Sequence, residues 1–357
     1  MRTARRVLAL GLLTLVLGIA AGGALVWWAL TTLERPYGED GHEVLLTVPP
    51  GERATRILER LESAGVLANA TLARLYLVHV LDDPPLKAGE YRFVLPLSTA
   101  QALDKLIRGE VITLRVTLIE GLTLDESAAA LAEAGFGERE RFSEAMSRPD
   151  PISDLDPAAT DLEGYLFPDT YAFARGTSES AIVATLVETF RRRVAELEPR
   201  LGPEPDMRRL VTLASIVEKE ALLDEERPVI AGVYTNRLDR GMALGADPTV
   251  IYALKRRAEW DGNLRRPHLK LDSPFNTYVN AGLPPGPICS PGLASLVAAA
   301  DPAEVPYLYF VSRNDGSHVF ARTLSEHNRN VERWQRQYWR ERWAQERRQT
   351  AGGDRPD

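Results

Sequence analysis

The sequence predicts an α+β protein in three parts: an N-terminal transmembrane helix, a small βα module and a larger mixed α/β domain. Three observations predict it. Positions 7–33 carry no charged residue, a strand–turn–helix pattern occurs twice at an offset of 70 residues, and beyond it helical and strand patterns follow each other without a regular alternation. The length of 357 residues is more than one ordinary domain needs. A net charge of −7 argues against a nucleic-acid partner. The single cysteine, Cys289, excludes an internal disulfide and any multi-cysteine zinc site. Five histidines without HExxH spacing give no reason to expect a metal, and no cofactor motif is present.

The N-terminus opens with Arg2, Arg5 and Arg6, followed by the uncharged stretch Val7 to Leu33. At about 1.5 Å per helical residue, some twenty such residues cross a bilayer core. Trp27 and Trp28 lie near its outer end, where indoles favour the interface. The arginines predict a short cytoplasmic tail, residues 1–6, with everything after the helix outside the cytoplasm. The small-residue run "AAGGA" leaves a cleaved signal peptide as the alternative, but the apolar run is longer than a usual signal core.

The repeat follows. "TVPPGERATRILERLESAGV" starts at Thr47 and "TLIEGLTLDESAAALAEAGF" at Thr117. Each reads as a short strand, a turn at Gly51 or Gly121, an amphipathic helix, and a left-handed stop at Gly65 or Gly135. Between them "EYRFVL" alternates as a strand, and "STAQALDKLIRG" reads as a capped helix ending at Gly109. Residues 43–113 are expected to form a small βα-rich module that resembles LysM-type wall-binding modules, with residues 114–136 as a bridging unit. A packing domain without a ligand fits the same pattern.

Residues 137–330 make the larger domain. Its first stretch, to Pro168, is rich in Asp, Pro and Ser and reads as connector. "SESAIVATLVETFRRRVAELE" has one apolar stripe, so a long helix is expected there. Helices also follow from "LASIVEKEA" and "PVIAGVYTNRLDRG", whereas 241–291 read as loop. "PYLYFVSR" and "HVFAR" are expected to be strands of a hairpin turning at "NDG". Residues 331–357 read as a charged helix bearing Trp334, Tyr338, Trp339 and Trp343, with a disordered end.

Three stretches hold candidate chemistry. In the helix around "SIVEKE", Leu210, Leu213, Ala214, Val217 and Ala221 define a buried face, and Glu218 and Glu220 fall on its opposite flanks. An apolar setting suits a carboxyl group to act as a general acid. Periodicity makes both glutamates candidates and does not choose between them; both also fit as rim charges. "DLEGYLFPDTYAF" offers Glu163 and Asp169 among aromatics, a combination that suits sugar binding, and "SPFNTYVNAGLPPGPI" offers Asn276, Thr277 and Tyr278 for hydroxyl and N-acetyl groups. Both loops also read as plain turns. No GxSxG, SxxK or phosphate loop is present.

Together, "LEGYLFPDTYAF", "LASIVEKEA", "YTNRL", "GMALGADPTVIYAL", "SPFNTYVNAGLPPGPI" and "PYLYFVSRNDGSHVFARTLSEHN" resemble, in order, the endolytic murein transglycosylase family, also called YceG-like. The resemblance implies a lyase that cuts the MurNAc-β-1,4-GlcNAc bond of nascent glycan strands and leaves a 1,6-anhydro end. It implies that Glu218 is the catalytic residue, with Glu220 either supporting it or capping the site, and it implies no metal or cofactor. It implies peptidoglycan strands and membrane-bound synthases as partners, at the inner membrane. A hydrolytic muramidase and a non-catalytic wall-binding scaffold are the alternatives.

Overall fold

A computed structural model describes residues 2–203 and 205–343; for residues 2–11, 14 and 25 only the backbone is described. The side chains of Arg2, Arg5 and Arg6 and the end of the tail therefore lie outside the described residues. The chain divides into two compact units, the first running to Leu114 and including Ala172–Gly176, the second comprising Arg115–Tyr171 and the chain from Thr177 onward.

The first unit begins with helix α1, Arg2–Glu34. Its segment Leu15–Glu34 is long and apolar enough to cross a membrane, with mean hydropathy 1.7. Trp27 and Trp28 are exposed. Only at its end does α1 meet the rest of the unit, where Leu33 is buried. Strand β1 (Glu43–Val48), helices α2 (Ala54–Ser63) and α3 (Ala70–His79), and strand β2 (Gly89–Val94) follow. Strands β1 and β2 pair antiparallel, Val48 opposite Gly89 and Glu43 opposite Val94. Alternation puts Leu46, Val48, Tyr91 and Phe93 on the face that meets Ile57, Leu58, Leu61 and Leu77 from the helices. Helix α4 (Thr99–Arg108) closes this core with Leu103 and Leu106. It starts at a Ser98–Gln101 capping box and stops at Gly109, which is left-handed. Between α1 and β1 the backbone is stitched to the loop before α4: Tyr37 and Leu97 exchange two hydrogen bonds and the Gly41 N–H donates to Leu95.

The second copy of the repeat is β3 (Thr113–Thr117) and α5 (Leu124–Glu133). Its turn glycine, Gly121, has φ 79°, against 78° at Gly51 in the first copy. A Thr123–Glu126 capping box starts α5, whose buried face packs on α6 (Arg139–Met146). The connector expected here thus contains a helix; Phe142 and Met146 are buried and outweigh the polar composition. Strand β4 (Thr170–Ala174) pairs with β3. Helix α7 (Glu179–Ala195) buries its apolar stripe as expected.

Helices α8 (Met207–Glu220), α9 (Arg227–Asp239), α10 (Asp247–Arg256) and α11 (Leu293–Ala300) form the centre of the second unit. Every residue of α8 from Leu210 to Val217 is buried. The stretch read as loop holds α10, which starts with Pro248 in its first turn and buries Val250, Tyr252 and Leu254. Strands β5 (Tyr309–Ser312) and β6 (His318–Ala321) form the expected hairpin. Its connection, residues 313–317, is longer than a two-residue turn; Asn314 and Gly316 are left-handed and the Arg313 N–H donates to Ser317. Helix α12 (Leu324–Val331) continues through a π-helical turn, Glu332–Gln337. That turn packs back on the hairpin: Arg313 stacks on Trp334, and Asn314 donates to the Trp334 carbonyl at 2.6 Å.

Candidate active site

Glu218 lies in the last turn of α8, which Asp206 caps at its start. Its side chain is only 6% exposed. The sequence predicted an apolar setting there. The structure differs: Leu222 is 75% exposed, and polar groups surround the carboxylate. Arg227, at the start of α9 and itself buried, donates to Glu218 Oε1 at 3.2 Å. The Gly292 N–H and the Ser295 hydroxyl donate to Oε2 at 2.9 and 2.8 Å. Gly292 is the N-cap of α11, so the carboxylate sits on a helix N-terminus, where unpaired N–H groups and the helix dipole favour a negative charge. Arg227 is held in turn by Ser295 at 2.6 Å and Asp224 at 3.0 Å. All three groups that touch Glu218 are donors.

A second carboxyl reaches the same spot. Glu120, in the turn before Gly121, is exposed and has no hydrogen bond or ion pair among the described residues. Its Oε1 lies 1.9 Å from where a side chain on Gly292 would begin, so a side chain there would displace the Glu120 carboxyl end. Although the residue is exposed as a whole, its carboxyl end lies against Gly292, and this partial desolvation and the negative charge of Glu218 push the carboxyl up from its ordinary range, against the opposing pull of Arg227. The turn is fixed by a pair of backbone bonds, Gly121 N–H to Ser290 and Ser290 N–H to Leu122, and by Lys219 Nζ donating to Gly121 at 3.2 Å. Arg227, Ser295, Gly292 and Glu120 were not singled out from the sequence. The one available signal was the repeat, which sets Glu120 against Pro50 of the first copy.

Glu220 faces away from this group. Its Oε1 accepts from Tyr234 at 2.9 Å, and burial pushes its carboxyl up to about 7, a rise that the Tyr234 bond opposes. Tyr278 joins a separate pair with Asp247, at 2.7 Å. Asn276 and Thr277 are fully buried: Asn276 holds the Leu269 and Leu271 carbonyls, and Thr277 bonds Ala246 and Thr249. These two support the loop and offer a substrate no atom. Glu163 is also buried, accepting from Tyr252 at 3.0 Å and from the Leu124 N–H at the start of α5. Burial pushes it up to about 8, with both bonds pulling the other way. Gly164 beside it is left-handed, and a side chain there would run into Pro287 and Val211. The glycine lets this loop lie on α8. Asp169 lies outside these clusters, 3.8 Å from Arg193.

Glu163 and Tyr252 also border a cavity of about 740 Å³, whose other walls include Thr123, Arg256 and Trp260. It offers an aromatic face, a guanidinium and several carboxylates. A depression of about 820 Å³ on the C-terminal helix lies between Glu332, Trp339 and Trp343, and its one carboxylate, Glu332, is paired with Arg336 and Arg340.

The YceG-like family profile matches residues 46–333, a span that includes every group described at Glu218. The chain belongs to the YceG-like family. Among its relatives is the endolytic murein transglycosylase of Bacillus subtilis (strain 168), 30% identical over 330 residues, or 88% of this chain and 90% of that protein. The endolytic murein transglycosylase of Streptococcus pneumoniae serotype 2 (strain D39 / NCTC 7466) is 28% identical over 81% of this chain, which spans 58% of that protein's length. The 2.6 Å crystal structure of the YceG-like protein lmo1499 from Listeria monocytogenes matches with a TM-score of 0.55 and 32% identity, covering 81% of this chain and 99% of that one. The YceG-like assignment agrees with the resemblance read from the motifs.

Proposed function

We propose that this chain is an endolytic peptidoglycan lytic transglycosylase, a lyase that cuts the MurNAc-β-1,4-GlcNAc bond inside nascent strands and so ends their elongation. The observation that carries the reading is the buried Glu218 carboxylate, held by Arg227, Ser295 and the Gly292 N–H, in a family whose relatives above are named endolytic murein transglycosylases. Protonated Glu218 gives its proton to the leaving oxygen. The carboxylate then takes the proton of the muramoyl C6 hydroxyl, which attacks the anomeric carbon and closes the 1,6-anhydro ring. Arg227, Ser295 and the N-terminus of α11 hold the anion that exists between the two transfers. The cavity beside Tyr252 and Trp260 is the candidate glycan groove: aromatic faces pack on pyranose C–H surfaces and Arg256 and the acids meet polar groups. One observation favours a second reading. Two carboxyls, Glu218 and Glu120, meet at Gly292, and hydrolytic muramidases of the retaining kind use a pair. Mass spectrometry of murein digested by the purified chain separates the readings. Anhydro ends are expected; reducing ends make it a muramidase, and intact strands make it a wall-binding scaffold.

The single-pass topology and the wall-binding role of residues 43–113 belong to the same proposal. Support for the first is the uncharged stretch Val7–Leu33 with Arg2, Arg5 and Arg6 ahead of it; support for the second is the strand–helix–helix–strand order. Membrane-bound synthases are the expected partners. In spheroplasts, added protease should digest everything beyond about residue 35, and protection of that region overturns the topology. Removing 43–113 should weaken sedimentation with insoluble murein; equal retention overturns the binding role.

A further inference from the structure

We propose that Arg256 is a specificity-determining residue that binds a carboxylate on the peptide stem of the glycan strand, so that the cavity beside Glu163 selects strands with charged stems. The inference rests on the reading of the chain as a peptidoglycan lytic transglycosylase. Arg256 is the last residue of α10 and borders the cavity of about 740 Å³ together with Tyr252 and Trp260. Its guanidinium lies over the rings of Tyr252 and Phe275, 5.8 and 5.4 Å from their centroids. Ring faces attract the cation and orient its plane, but they leave its N–H donors unused. Among the described residues Arg256 has no hydrogen bond and no ion pair.

The other charged groups on these walls are occupied. Lys255 donates to Glu126 at 2.6 Å, and Glu126 also closes the capping box of α5. Asp125 accepts from Arg139 at 2.6 and 2.7 Å. Asp161 accepts from the Glu163 N–H at 3.0 Å and from the Thr160 hydroxyl at 3.5 Å. Glu163, pushed up to about 8 by burial, is held by Tyr252 and Leu124 and adds little negative charge at neutral pH. Arg256 is thus the wall charge left for a ligand. A planar, oriented guanidinium fork matches a carboxylate. The sugars of an intact strand carry none, because each lactyl carboxyl is bound in the amide that attaches the stem; the strand's carboxylates are on the stems. The place fits as well. A side chain on Gly121 would begin 3.8 Å from Glu218 Cγ, and Leu124 on the cavity wall lies three residues further, at most about 10 Å of chain. A stem on a sugar near Glu218 comes within reach of the cavity.

The test is the steady-state formation of anhydro ends by the full chain in detergent on two matched substrates. One is uncrosslinked murein strands with native stems; the other is the same strands with their stem carboxylates converted to neutral amides. Wild type should show a KM about ten-fold lower on the native strands, with kcat alike on both. Arg256→Gln should raise KM on native strands to the value for amidated ones and leave the amidated strands unaffected. Arg256→Lys keeps the charge without the fork and should keep part of the preference. A wild type that treats the two substrates alike overturns the proposal. So does a glutamine variant that loses equally on both, as it would if the guanidinium only packed on Tyr252 and Phe275. Either result leaves the transglycosylase reading standing. Reducing ends, or no cleavage of either substrate by wild type, sinks that reading instead.

Discussion

Glu218→Gln should lower anhydro-product formation by about 10²–10⁴-fold, the range that general acid–base catalysis contributes. The amide matches the carboxylate in size and can still accept from Gly292, but it carries no proton to give. The structure adds a cost that the sequence did not foresee. An acid on an apolar rim loses nothing in stability when neutralised, but Glu218 is the buried partner of Arg227, whose other acid, Asp224, is 82% exposed. The variant should therefore also unfold more easily, by about 1–3 kcal/mol, the usual cost of leaving a buried charged group short of a partner. Product analysis by mass spectrometry and denaturant unfolding check the two halves. Near-normal product from Glu218→Gln together with an inactive Glu220→Gln would move the acid to Glu220.

Arg227→Met should be the most damaging change to the fold at this site. It deletes the cation from a pair whose side chains are 8% and 6% exposed. Breaking a buried pair from one side leaves the other charge in poor solvent, at a cost of about 3–5 kcal/mol. It also frees Ser295, one of the two donors to Glu218 Oε2. Arg227→Lys keeps the charge but cannot donate in a fixed fork to Glu218, Ser295 and Asp224 at once, and it should fall between the two. Thermal unfolding followed by circular dichroism measures this. A methionine variant as stable as wild type would show that the pair contributes little.

Much of this was legible before any coordinates. The repeat was visible because both copies need the same left-handed glycines, and α7 and α8 because a single apolar stripe faces one core. Glu218 and Glu220 were both visible as flanking acids, and they do face different partners. The misses have physical reasons. Helix α10 opens with Asp247-Pro248, a helix-start signal that also reads as a turn. Helix α11 is short and nearly all apolar, so it has no periodicity to detect. Arg227 lies nine residues after Glu218 and Ser295 seventy-seven, distances that only the folded turn between α8 and α9 and the packing of α11 on α8 can close. Asn276 and Thr277 have the chemistry of ligand contacts, but burial is a tertiary property, and it turned them inward.

The burial of Leu33 and the stitching of Tyr37 and Gly41 to the 95–97 loop matter beyond local packing. An anchor that ended in slack peptide would let its cargo drift like a buoy on a chain. Here the last turn of α1 is already part of the soluble core, and the residues after it are tied down. With α1 in a bilayer, the 43–113 module has no leash: it stands at one height and turns only as the helix turns. A wall-binding face on it would sample a thin layer next to the lipid, where strands are young, and would leave the mature wall farther out untouched. Inserting a few flexible residues at position 36 would lengthen that reach without altering either the module or the site.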